Sequence, residues 1–173
     1  MSILRPPEGL VVVSGYIAGR LFDKHGRLKR TFKGRNGVAT VGLNELLNVG
    51  FRASASSSWY IGLVDNASFS AFAAADTMSS HSGWVESVVY SDATRRQWSP
   101  AAASGGLLTN TASVATFNIN GSATLKGLFV TSSNTKSGTA GVLWATGSFD
   151  SNQAVVNTDV LELTYRVQLQ AIS

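Results

Sequence analysis

The sequence predicts an all-β protein: an antiparallel β-sandwich, jelly-roll-like, with an N-terminal β-hairpin and one short helix. Three observations predict it. Short segments rich in Val, Ile, Leu, Phe, Tyr and Trp recur along the chain, separated by clusters of Gly, Asn, Ser and Asp, the punctuation of strands and turns. The last segment alternates strictly. Leu161, Leu163, Tyr165, Val167 and Leu169 fall on one side, and Glu162, Thr164, Arg166, Gln168 and Gln170 on the other, as in a strand with one face on a core. Only one stretch has helical spacing, and nothing alternates strand with helix as a parallel α/β sheet would.

Taken in order, residues 1–10 form an extended lead-in, because Pro6-Pro7 forbids helix. A single sandwich domain is expected over 11–173. Leu10–Phe22 is rich in Val, Ile and Tyr and reads as a strand. Asp23-Lys-His-Gly26 is a turn, and Arg27–Lys33 returns as a second strand, giving a basic hairpin over 11–36. Leu28, Arg30 and Phe32 share one face of the return strand; Arg27, Lys29, Thr31 and Lys33 share the other. Gly34-Arg-Asn-Gly37 reads as a second turn. The helix falls within 38–50, with Thr40 as N-cap, an apolar stripe of Val41, Leu43, Leu46 and Leu47, and Gly50 as its stop. Trp59–Val64 is a buried strand. Asp65–Ser82 is a connection far longer than the usual roughly 4–6 residues; it is too small and polar to build a core, and such loops commonly bind. Its Ala71–Ala75 run can form one helical turn. Trp84–Ser91 and Thr94–Ser99 read as a strand pair and Pro100–Gly106 as a break. Four strands close the chain: Ala112–Ile119, Ala123–Thr131, Gly141–Phe149 and Val160–Ala171.

Composition narrows the class. Charged residues make up 14% of the 173, against about 25% in ordinary domains, which suits sheet and loop packed against neighbours. There is no cysteine, so no disulfide framework or thiolate metal site exists. The opening residues do not read as a signal peptide, and no apolar run nears the roughly 20 residues of a membrane helix. A soluble protein made in the cytoplasm, with no membrane partner, is expected. Residues 1–52 hold nine Lys/Arg and three Asp/Glu, for +6; the remainder holds five and seven, for −2. A basic amino-terminal third points to contact with an acidic surface.

The order of motifs adds a resemblance. TVGLNELL follows the basic hairpin, then WYIGLVDNASFSAFAAADTMSSHSGWVE, YSDATRRQW and NINGSATLKGLFVTSSNTKSGTAGVLWATGSF. From Val11 to Ala171 the chain resembles a family of tailed-bacteriophage virion proteins that look like capsid decoration, or cement, proteins of jelly-roll-like fold. WYIGLVD, AAADTMSSHSGW and LKGLFVTSSNTKSGTAGVLW carry it most specifically. The resemblance implies a non-enzymatic structural protein on the capsid surface of a virion assembled in the host cytoplasm. Its partners would be the major capsid protein and further copies of itself, as a dimer or trimer. The alternative is a tail-associated or fibre module that binds host glycan.

Ten residues are candidates for the capsid contact: Arg20, Lys24, Arg27, Lys29, Arg30, Lys33 and Arg35 on the hairpin, and Arg95, Arg96 and Trp98 beyond it. The hairpin cations suit charge-steered contact with carboxylates, and the Asp65–Ser82 loop is a second contact candidate. The bland reading of the same cations is protection of an edge hairpin from aggregation. A nucleic-acid partner is not expected, since Phe22 and Phe32 are the only aromatics in the cluster. Trp98, beside two arginines, suits an interface; Trp59, Trp84 and Trp144 sit in apolar segments and suit packing, though four tryptophans could also form a sugar platform. No catalytic residue is assigned. His81 lies near Asp76, Ser79, Ser80 and Ser82, but proximity in a Ser-rich loop is not a triad, and no GxSxG elbow is present. No cofactor is called for, and two distant histidines with scattered aspartates give no metal site.

Overall fold

The computed structural model describes residues 10–52 and 55–172, so most of the expected lead-in lies outside the described residues. Among the described residues ten strands and one helix form in the order β1 (Leu10–Phe22), β2 (Leu28–Val38), α1 (Thr40–Phe51), β3 (Trp59–Asp65), β4 (Glu86–Ser87), β5 (Arg96–Trp98), β6 (Leu107–Thr109), β7 (Ala115–Asn118), β8 (Ala123–Thr131), β9 (Leu143–Val155) and β10 (Val160–Ile172). The fold is all-β with a single short helix, as the sequence predicts. Every strand pair is antiparallel. The strands make one sheet in the order β4-β3-β8-β9-β2-β1-β10-β6, with β5 also on β3 and β7 also on β10.

This sheet rolls over until its ends meet, giving a sandwich-like body. Tyr90 bridges Ile119, just past β7, and Ser91 N–H donates to Asn118 O. The Trp98 indole on β5 donates to Tyr165 O on β10 at 3.2 Å and meets the Tyr165 ring edge-on. Burying apolar area drives the closure. Ile17, Leu21, Phe32, Leu63, Phe117, Leu128, Leu161 and Leu163 fill the interior.

A second apolar cluster lies on the other side of β3 and β8. Val64, Phe129 and Leu143 are covered there by Met78 and Trp84, with Phe69 and Phe72 packed alongside. Those four covering residues come from the long connection after β3, which therefore builds a small core of its own; the expectation that it was too polar to do so is corrected. Burial on both faces explains why IGLV and GLFV are continuous apolar runs rather than alternating ones. The connection also tethers the helix, since Thr40 N–H donates to Ala74 O at 2.8 Å.

Several boundaries differ from expectation. Gly34-Arg-Asn-Gly37 is not a turn but the second half of β2, paired with β1 on one side and β9 on the other. A Cβ at Gly34 would lie 2.3 Å from Ser148 O, so glycine serves close strand approach here rather than reversal. The helix starts after Ala39, which gives no side-chain cap, and runs through Gly50 to Phe51. No helical turn forms at Ala71–Ala75. The two strands expected around Asp92-Ala93 shrink to β4 and β5, which pair with β3 instead of each other, and Trp84 lies outside both. Strand β9 continues through Asp150–Val155 along β8.

Candidate contact surface

Strands β10, β1 and β2 lie side by side and present one face to solvent. Register fixes its rows: Arg166, Tyr16 and Arg35 stand abreast, then Thr164, Ala18 and Lys33, then Glu162, Arg20 and Thr31. Leu161, Leu163, Tyr165, Ile17, Leu21 and Phe32 point the other way and are buried. The strand period thus forces polar and charged residues outward together.

Three of the seven hairpin cations are tied down. Arg20 pairs with Glu162 at 2.5 Å, Arg27 with Asp23 at 2.8 Å, and Lys29 with the buried Asp159 at 2.6 Å. Asp23 also accepts the backbone N–H groups of Arg27 and His25. The Arg27 N–H above all holds its carboxyl down at about 2, below the ordinary 3.8, because hydrogen bonds favour the charged form. Lys24, Arg30, Lys33 and Arg35 are exposed, and no acidic group among the described residues pairs with them. Arg166 belongs with this set and was not among the sequence candidates. Its outward position was legible in the alternation of the last strand; its place beside Arg35 was not, because strand neighbours are not written in sequence.

Two of the three candidates beyond the hairpin are corrected. Arg95 is 2% exposed, and its guanidinium grips Glu86 through two bonds of 2.9 and 2.8 Å. It also donates to Ser133 O and Gly138 O. Trp98 is 6% exposed with its indole N–H turned inward. Arg95 is covered by the 132–141 loop and Trp98 by the closing sheet, so neither offers a contact surface. Arg96 is half-buried and paired with Asp92 at 2.7 Å.

Trp84 and Trp144 are buried as well, and Trp144 donates to the Tyr165 hydroxyl at 3.0 Å. Only Trp59 is half-buried, tilted against Trp144. With Trp98, these two line an apolar pocket of about 400 Å³ roofed by Leu46, Val49 and Pro100. His81 stacks on Trp84 at 3.8 Å, and its Nδ1 lies 3.1 Å from Trp84 O. Asp76 accepts the Trp84 indole N–H at 2.9 Å. No hydrogen bond joins His81 to Asp76 or to a serine among the described residues, so these groups are not brought together as nucleophile, base and orienter. Among the described residues no three acidic or histidine side chains cluster as metal ligands, and no helix is long and apolar enough to cross a membrane.

The fold and surface thus define an all-β protein with an outward basic face. No family model, curated protein or solved structure matches the chain.

Proposed function

We propose that this chain is a non-enzymatic virion structural protein that decorates a phage capsid shell, its basic sheet face set against acidic groups of the major capsid protein. The observation that carries the reading is the set of exposed cations Lys33, Arg35 and Arg166 on the outward sheet face, unpaired among the described residues, with Lys24 and Arg30 exposed on the same hairpin. Edge protection does not account for Arg35 and Arg166, which stand between paired strands, β1 and β9 for the one and β1 and β6 for the other; Arg30 and Lys33 lie on the half of β2 that pairs with β1 alone. The motif resemblance supplies the setting. Each copy makes a weak, salt-sensitive contact. Many copies on a repeating shell add these contacts by multivalency.

Self-association as a dimer or trimer is part of the reading. Leu43, Leu47 and Phe51 form an exposed stripe on α1, flanked by Thr40, Asn44 and Asn48 without a charge, so two copies can meet there without like-charge repulsion. The glycan-binding alternative is weakened by the burial of Trp84, Trp98 and Trp144, which leaves Trp59 as the one half-exposed ring of the four. Quantitative mass spectrometry of purified virions tests the proposal. The expected result is a copy number in simple ratio to the major capsid protein; a handful of copies per particle overturns it.

A further inference from the structure

The outward sheet face carries a built feature at one end. Arg35 on β2 and Arg166 on β10 flank Tyr16 on β1 in direct register. Two strand spacings separate the arginines, roughly 10 Å between backbones. Ser14, Gln168 and Leu107 close a shallow polar groove of about 590 Å³ around them. The Arg166 guanidinium lies over the Tyr16 ring at 5.5 Å, which restrains the side chain and aims it. Neither arginine has an acidic partner among the described residues. Two like charges on the strands either side of one aromatic repel one another, and an anion between them relieves this. Lys33, two residues along β2 from Arg35, faces outward on the same strand.

We infer that Arg35, Tyr16 and Arg166 form an anchoring site for the carboxylates of an acidic protein segment. The assignment rests on the reading of the basic face as a contact surface and names the subsite that fixes it. The guanidinium fork matches a carboxylate in two parallel hydrogen bonds, a geometry lysine lacks. Two forks held on a rigid sheet select acidic groups at matching separation rather than negative charge in general. A nucleic-acid strand fits less well. The groove holds one aromatic ring, with Arg166 over it, so there is no row of rings for successive bases to stack on, and the strands present no helix to a groove.

The test compares the intact protein with Arg35→Gln/Arg166→Gln and with Lys24→Gln/Arg27→Gln, which removes the same charge at the hairpin tip. Each is titrated with poly-L-glutamate and with single-stranded DNA, and circular dichroism checks the fold. The expected result is binding of poly-L-glutamate that weakens about tenfold or more in the first variant and clearly less in the second. DNA binding should be weaker and should fall equally in both. Equal losses for poly-L-glutamate would overturn the anchor while leaving a diffuse basic contact face intact. Tighter binding of DNA than of poly-L-glutamate would overturn the carboxylate assignment. Failure of the capsid reading shows separately, as a low copy number in the virion, whatever these titrations give.

Discussion

At the scale of single residues, the decisive contact is the ion pair between Arg95 and Glu86. Their side chains are only 1% and 7% exposed, and Glu86 also accepts the Ser137 N–H at 2.7 Å. The pair therefore ties the 132–141 loop to the segment before β5. Glu86→Gln keeps an acceptor but leaves a buried guanidinium without its counter-charge, and breaking such a pair costs about 3–5 kcal/mol. Denaturant unfolding of the variant should show a loss of that size; a loss below about 1 kcal/mol would mean water reaches the site. Sequence reading placed Arg95 at an interface because it stands beside Arg96 and Trp98. Its partner lies nine residues back, on a strand that pairs with β3 and not with β5, so no local pattern announced it. Asp23 was more legible, since an Asp three residues before Gly marks a turn. Its depressed pKa means that the turn gains stability above pH 3.8, the ordinary carboxyl value, and loses it as pH falls toward about 2. Amide exchange at His25 and Arg27 should therefore quicken over that acid window, and Asp23→Asn should abolish the pH dependence.

At the scale of elements, glycine explains both a success and a failure of reading. The helix was legible from its spacing, but the residue that seats it was not an apolar one. Gly42 is the buried residue of α1, and a Cβ there would lie 2.5 Å from Trp144 O on β9. Gly42→Ala gains up to about 1 kcal/mol of helix propensity, yet the helix must lift off the sheet. Overpacking of this kind costs about 1–3 kcal/mol, so a net destabilisation is expected in denaturant unfolding. Gly50 is the control. It sits in the same helix with nothing within 4 Å of its Cβ position, and Gly50→Ala should stabilise by about 0.5 kcal/mol. Equal responses at the two positions would show that α1 does not depend on the close approach at Trp144. The same residue type misled at Gly34 and Gly37, where two glycines bracketing Arg-Asn carry the composition of a turn. The long strands β1, β8 and β10 were readable end to end. The three-residue β6 and the polar end of β9 were not, because each owes its strand conformation to a neighbour far away in sequence.

At the scale of the whole molecule, stability depends on the seam where the rolled sheet meets itself. Two buried tyrosines stand along it. Tyr165 on β10 takes indole N–H donors from Trp144 on its hydroxyl and Trp98 on its carbonyl, and Asn36 Nδ2 also donates to its hydroxyl. Tyr90 packs edge-on against Phe117 of β7 and lies beneath the Lys136 ammonium. Burial raises both phenol pKa values well above the ordinary 10.0, with the Glu86 charge adding to the shift at Tyr90. Desolvation also lowers the pKa of Lys136. A tyrosine that stays neutral when folded but ionises when unfolded favours the folded state fully only below its unfolded pKa. Above about pH 10 the unfolded chain loses protons that the native seam keeps, so stability falls as pH rises. Alkaline titration followed by tyrosinate absorbance and by circular dichroism should therefore show two tyrosines ionising together with loss of the sheet signal. Tyr165→Phe removes the ionisation but leaves the Trp144 and Asn36 donors without their acceptor. It should lower stability at neutral pH and flatten the alkaline dependence. If both buried tyrosines instead titrate smoothly near pH 10 with the sheet signal intact, the seam is open to solvent and the sheet does not close as described.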